Sequence, residues 1–266
     1  TTMINWMMAV EGFEDYDLSS LRNFQYGGGP MPRSVVEAAL KAFPCTMIQG
    51  YGQTEGMTMT FLSQEDHQRA VAGDHPERLG SCGREGFVSE IRVVDPEGEP
   101  VPRDGQTAGE IVVRSEANML GYWRRPDLTE QTLRGDWMWT GDIATWDKEG
   151  YVFIVDRAKD MIISGGENIY STQVEAAIHQ HPAVLESAVF GIPDDTWGEA
   201  VKAVVVLKPG QTATEEEIIA EASKHLASYQ KPKSVDFVEA LPKAPTGKIL
   251  KRDLRDPYWQ EETRQV

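Results

Sequence analysis

Apolar positions along the chain fall into three textures, and each predicts a different kind of structure. Over residues 1–79 they recur at helical spacing between short unbroken runs. Residues 3–10 form a first amphipathic helix, and the run 21–26 reads as a strand ending on Gly27, Gly28, Gly29 and Pro30. Pro32 suits the first turn of a helix over 33–43, whose Val36, Ala39, Leu40 and Phe43 share one face. A second strand, 46–49, runs into the glycine-rich turn Gly50, Tyr51, Gly52, Gln53, Thr54, Glu55 and Gly56. Strand, turn, helix, strand, turn is an α/β order, in which ligands gather at the carboxyl ends of parallel strands. Both glycine clusters fall at such ends.

From residue 80 to 146 the texture becomes short alternating runs, such as 90–94 and 109–113, separated by turns of the DPEGEPVPRDG type. That pattern predicts an antiparallel sheet or small barrel. Within it Trp137, Met138 and Trp139 lead into Thr140, Gly141 and Asp142, read as a turn with a carboxylate at its tip. Taken by itself, Asp142 is a turn Asp bonding its own backbone. Residues 151–175 then change character three times. The apolar run 151–155 ends in Asp156, Arg157, Lys159 and Asp160, and a second run, 161–163, breaks on Ser164, Gly165 and Gly166. Two short strands with a tight turn are expected, and the charges between them should be exposed and able to move. On these residues alone a functional joint and an ordinary bend with solvated charges both remain open.

Beyond the joint the pattern is that of a compact α+β unit. Ser171 caps a helix over 172–180, runs 183–190 and 201–207 are strands, and Thr214 with Glu217 has capping-box spacing for a helix reaching about Ser228. A last strand, 234–238, leads to a loop of Pro242, Pro245 and Gly247 that carries Lys248, and residues 257–266 form a tail of surface helix or disorder. A lysine on such a loop ordinarily serves solubility.

Composition narrows the function. Lys and Arg number 26 against 42 Asp and Glu, a net charge of −16, which disfavours a nucleic-acid polymer and leaves anionic ligands dependent on local cations. Cys45 and Cys82 are the two cysteines, too few for a disulfide framework or a metal site, and they fit a reducing, cytoplasmic compartment. No apolar run approaches the ~20 residues of a membrane span. The 266 residues allow about two domains, and a chain opening on Thr1 is expected to belong to something longer.

Four segments in order then meet a known family. QGYGQTEG at 49–56, WMWTGD at 137–142, VDRAKDMIISGGENIY at 155–170 and PKAPTGKI at 242–249 resemble the adenylate-forming enzymes, specifically the acyl-CoA synthetases. The resemblance covers essentially the whole chain. It implies α/β and α+β architecture: the remainder of a large α/β domain over 1–156 (an α/β segment, 1–79, and a β-barrel-like subdomain, 80–156), a small α+β lid over 157–256, and the tail. It also implies ATP and AMP, Mg2+, CoA as co-substrate, a small carboxylic acid substrate, and oligomers possible through the large domain.

Residue by residue, the resemblance implies that Lys248 bridges carboxylate and phosphate, that Glu55 binds magnesium, and that Thr54 contacts phosphate. Gly28, Gly29 and Tyr51 would form the adenine slot, and Asp142 with Arg157 would hold the ribose. Lys159 would be the hinge of a rotating lid. Ser164, Gly165 and Gly166 would leave room for the pantetheine arm, with Trp197 either a wall of that tunnel or part of the lid core. Gly50, Gly52, Met57, Thr58 and Met59 would line an uncharged acyl pocket, favouring fatty or aryl acids. The GGENIY turn is the form associated with CoA as acceptor; an adenylating domain that loads a carrier protein and a non-catalytic nucleotide-binding fragment are the alternatives. The family's Ser/Thr/Gly-rich phosphate loop lies upstream of all four segments and nothing in residues 1–266 resembles it, so the chain alone is expected to be inactive.

Overall fold

The computed structural model describes residues 2–29, 31–244 and 247–259, and it divides into two compact units between Ile154 and Val155. In the first unit, helix α1 (Thr2–Met8) and helix α2 (Arg33–Ala42) cover one sheet. Strand β1 (Asn23–Gly27) runs parallel to β2 (Thr46–Gln53), and β2 turns back antiparallel into β3 (Met57–Leu62). Helix α3 (Gln64–Val71) follows, and the two-residue β4 (Arg84–Glu85) closes the four-stranded order β1-β2-β3-β4. Ile4, Val36, Ala39, Phe43 and Met47 bury their side chains between helices and sheet, as the helical spacing over 33–43 requires. Ser63 caps α3 through a capping box with Asp66, and the buried His67 meets the Tyr26 hydroxyl at 2.7 Å, tying α3 to β1.

The rest of this unit is the antiparallel sheet expected of residues 80–146. Strands β5 (Ser89–Val94) and β6 (Gly109–Ser115) pair, helix α4 (Pro126–Thr132) leads to β7 (Leu133–Arg134), and β8 (Trp137–Trp146) lies between β6 and β7, with β9 (Val152–Arg157) also on β8. Alternate residues Ile91, Val93, Ile111 and Val113 form a core with Met138, Ala144 and Trp146, joined by Tyr51 and Met59 of the first sheet. The expectation of a loop-tip carboxylate is corrected here. Asp142 lies inside the ten-residue β8 and is 4% exposed. Gly141, at φ 72°, absorbs a register shift between β6 and β8, so the sequence Thr-Gly-Asp makes a bulge rather than a chain reversal.

The second unit is an α+β sandwich. Hairpin β10 (Ile162–Ser164) and β11 (Glu167–Ile169) precedes helix α5 (Ser171–Ile178), and the long hairpin β12 (Val184–Asp194) and β13 (Gly198–Leu207) forms the centre of its sheet. Helix α6 (Glu215–Ala222), the parallel edge strand β14 (Ser234–Phe237) and helix α7 (Lys251–Arg255) complete it. Val201, Ala203 and Val205 pack under α5 and α6, while Val204 and Val206 face Leu241, Ile249 and Leu254. Both faces of β13 are therefore covered, and its run of valines is continuous rather than alternating.

Three sequence expectations fail in this unit. The charge cluster after β9 is not wholly exposed: Asp156 is 4% exposed, because its carboxylate accepts from the amide and the hydroxyl of Ser171 at the start of α5. Ser171 accordingly does not cap α5 with its own side chain; it lies in the first turn, and Asp156, brought from another element, satisfies its amide. Helix α6 has the expected capping box, Thr214 with Glu217, but stops at Ala222, where the Ser223 hydroxyl turns back to Ile219 O at 2.6 Å. No helix among the described residues is long and apolar enough to cross a membrane. Asp256–Tyr258 form a short 3-10 turn, and residues 260–266 of the tail lie outside the described residues.

Candidate functional site

In the first unit, an open cavity of about 500 Å³ sits where the parallel pair β1 and β2 ends. Six expected site residues line it: Gly28, Gly50, Gly52, Thr54, Met57 and Thr58. Close backbone approach builds its floor. Gly27 lies opposite Gly50 in register, and a Cβ on Gly27 would stand 2.1 Å from Gly50 O. A Cβ on Gly52 would stand 1.8 Å from Met57 O. Gly28 and Gly29 have nothing within 4 Å of such an atom, so their space faces outward, and Pro30 lies outside the described residues. Gln25 and Gln53 also line the cavity; Gln53 belongs to the QGYGQTEG segment, whereas no pattern in the sequence marks Gln25.

Met59 does not join this lining. Pairing passes from Gly52↔Thr58 to Tyr51↔Thr60, so Met59 is the extra residue of a bulge and its side chain enters the core, fully buried. The glycine-rich turn expected over 50–56 is shorter than the sequence implied, for β2 continues through Gln53 and the reversal is confined to Thr54, Glu55 and Gly56. Thr54 is exposed there. Glu55 is held twice from one loop: its carbonyl accepts from Met119 N at 2.6 Å and its Oε1 accepts from the Tyr122 hydroxyl at 2.7 Å. Tyr122, 67 residues away, carries no motif that sequence reasoning could use.

Tyr51 and Asp142 form a buried pair, the tyrosine hydroxyl donating to Asp142 Oδ2 at 2.7 Å. Burial, reinforced by the Asp142 charge, holds the Tyr51 phenol well above its usual range, so it stays a donor. Beside the pair, Thr140 Oγ1 accepts from Asp142 N and donates to Ile111 O, while Gly141 N donates to Glu110 Oε1 at 2.8 Å. Burial also raises the Glu110 carboxyl above its ordinary value. Tyr51 is 9% exposed and packs in the core with Met59 and Cys82, away from the cavity lining.

In the second unit, Lys159 is exposed in the 3-10 turn Ala158–Asp160, and Arg157 is half-buried at the end of β9. Gly165 and Gly166 have φ of 61° and 83°, the two left-handed residues of a type I′ hairpin turn flanked by the pair Ser164↔Glu167. Trp197 is brought against this turn: Gly165 N donates to Trp197 O at 2.8 Å, and the ring lies over Gly165. At 52% exposed, Trp197 is not part of the core of the second unit. Lys248 is exposed at the foot of its loop, framed by the bridge Lys243↔Ile249 and by Ala244 N donating to Lys248 O at 2.8 Å; Pro245 and Thr246 lie outside the described residues.

The chain matches the AMP-binding enzyme family over residues 1–123 and the AMP-binding enzyme C-terminal domain over residues 173–248. A feruloyl-CoA synthase of Amycolatopsis sp is 42% identical over 254 residues, covering 96% of this chain and 50% of that protein. The fatty acid–[acyl-carrier-protein] ligase ScoC of Streptomyces coeruleorubidus is 37% identical over 265 residues, covering 99% of this chain and 50% of its own. Among solved structures, the amide bond synthetase McbA of Marinactinospora thermotolerans matches with a TM-score of 0.83 at 36% identity, over 97% of this chain and 51% of that one. The chain spans about half the length of the curated relatives it matches. Two family matches in chain order, with a similar fold running through both, lead to one assignment: the chain belongs to the AMP-binding, adenylate-forming enzyme family.

Proposed function

We propose that this chain is the carboxy-terminal half of an AMP-forming acid–thiol ligase that activates a fatty or aryl carboxylic acid with ATP and passes the acyl group to CoA. The observation that carries the reading is the shared lining of one cavity by Gly28, Gly50, Gly52, Thr54, Met57 and Thr58. Apart from Thr54, these residues offer small or apolar surface and no charge to pair a second carboxylate. In the first half-reaction the substrate carboxylate attacks the α-phosphorus of ATP, the bond to the β-phosphate oxygen breaks, and pyrophosphate leaves. Thr54 contacts phosphate, and Lys248 brings a cation to the oxygens on which charge gathers. In the second, the CoA sulfur, giving up its proton, adds to the acyl carbon, and AMP departs with the electrons of its bond to that carbon. The turn Ser164, Gly165, Gly166 and the Trp197 ring beside it guide the pantetheine arm. Asp142 and Arg157 hold ribose, with Gly28 and Gly29 at adenine; Tyr51, expected there, instead supports Asp142 from the core. A lid comprising residues 157–256 turns about Lys159 between the steps.

Magnesium fits sparingly. Among the described residues no group of three His, Cys, Asp or Glu could hold a metal ion, but a magnesium that takes most of its ligands from phosphate and water needs one or two carboxylates. Glu55 supplies one, with Oε1 oriented by Tyr122. When bound, the ion would neutralise phosphate charge.

The deciding experiment is Lys248→Ala in the full-length ligase. Adenylation should fall by about 10²–10³, the usual cost of one preorganised charge-stabilising donor, while thioester formation from supplied acyl-adenylate persists. Equal loss of both steps would refute the role of Lys248. A second reading, loading of an acyl-carrier protein, is favoured by the likeness to ScoC, and presenting CoA and holo carrier protein side by side as acceptors separates the two. The 266-residue chain alone should give no ATP–pyrophosphate exchange.

A further inference from the structure

Lys159 lies between two sets of contacts that hold opposite sides of its backbone. On the amino-terminal side, Val155 O accepts from Thr172 Oγ1, and the Asp156 carboxylate accepts from the Ser171 amide and, at 3.0 Å, from Ser171 Oγ. Ser171 Oγ in turn accepts from Lys251 Nζ at 2.7 Å. Lys251 also pairs with Glu175 Oε1 at 2.7 Å, and that oxygen accepts from Val189 N at 2.9 Å. On the carboxyl side, Arg255 Nη1 donates to Lys159 O at 2.8 Å and stands 3.4 Å from Asp160 Oδ1.

These two sets respond differently to a turn at Lys159. Rotation about its φ and ψ carries the Lys159 carbonyl with the residues that follow, so the Arg255 contact survives. The same rotation parts residues 155–158 from Ser171 and Thr172. Val155 and Asp156, ahead of Lys159, fall within the second unit together with Ser171 and Thr172, which they contact.

We propose that Asp156, Ser171 and Lys251 form a latch that holds the lid in one of its two positions and opens when the lid turns about Lys159. The proposal rests on the lid reading above. On opening, Val155 O parts from Thr172 Oγ1 and the Ser171 amide and hydroxyl part from Asp156, whose carboxylate passes into water and keeps the Arg157 amide at 2.8 Å. Lys251 and Glu175 keep each other, and Ser171 keeps Lys251. The network thus contains one cation between two carboxylates when closed, and a matched pair when open.

Two measurements test it. In the full-length ligase, Asp156→Asn and Ser171→Ala should shift the ratio of the two half-reaction rates at least fivefold, with one rate rising, whereas Arg255→Met should leave that ratio within twofold. A merely structural role would lower both rates together, and that result overturns the latch. In the 266-residue chain, amide hydrogen exchange should quicken at residues 155–158 and 171–172 in Asp156→Asn, relative to the rest of the second unit. Unchanged exchange there also overturns it, whatever the kinetics. If exchange quickens but the unsubstituted ligase shows neither half-reaction, the latch stands and the functional reading fails.

Discussion

The turn at Gly165 and Gly166 offers a prediction in which two costs can be separated. Both residues are left-handed, so an alanine at either should cost about 1–2 kcal/mol in backbone strain. Gly166 has open space around it, and Gly166→Ala measures that strain alone. At Gly165 the added Cβ would stand 2.8 Å from Trp197 Cε3, so the ring must move as well. Because Trp197 is 52% exposed it can swing away, and the extra cost is held to about 1 kcal/mol, the low end of overpacking penalties. Gly165→Ala should therefore lose about 2–3 kcal/mol in all, and adding Trp197→Ala should return the excess over Gly166→Ala. Urea unfolding of the second unit, followed by circular dichroism for the four variants, closes the double-mutant cycle. Equal destabilisation by the two glycine substitutions, unrelieved by Trp197→Ala, would show that the ring does not rest on this turn.

Two further predictions concern buried charge. Tyr51→Phe removes the hydroxyl that Asp142 accepts from and should cost the first unit about 1.5–3 kcal/mol, the range for a hydrogen bond to a charged group; an unchanged urea midpoint would refute the pairing. Glu175 is held above the ordinary carboxylate range by burial, against the pull of Lys251. Its stabilising contribution is full below its unfolded pKa of about 4.3 and is lost as pH rises through the higher folded value. The stability of the unsubstituted chain relative to Glu175→Gln should therefore fall from about pH 4 towards neutrality, and a difference that stays flat in paired thermal melts would contradict it.

What could be read from the sequence follows the distance between partners. Thr214 and Glu217 are three residues apart, and their capping box was legible because both halves lie in one turn. The Gly165–Gly166 hairpin was legible for the same reason. Asp142 was misread because the hydroxyl that makes its burial tolerable belongs to Tyr51, 91 residues away, and a Thr-Gly-Asp triplet fits a bulge as well as a turn. Asp156 was misread because Ser171, 15 residues on, shares it only once the hairpin between them has folded. Met59 left the expected pocket because one extra residue in a strand reverses the side on which its neighbours emerge. The family resemblance named motifs, but Tyr122, Gln25 and Lys251 acquire their places from packing that no short pattern encodes.

The glycines at the ends of β1 and β2 bear on how variants of this site should be interpreted. Gly27 and Gly52 are excluded from bearing a side chain by neighbouring carbonyl oxygens, so alanine at either would spread the strands and be felt as misfolding. Gly28 and Gly29 meet no such wall. A scan that loses activity at all four would thus mix two different injuries under one phenotype. Expression yield and melting temperature, recorded beside each rate, would tell a broken floor from an obstructed doorway.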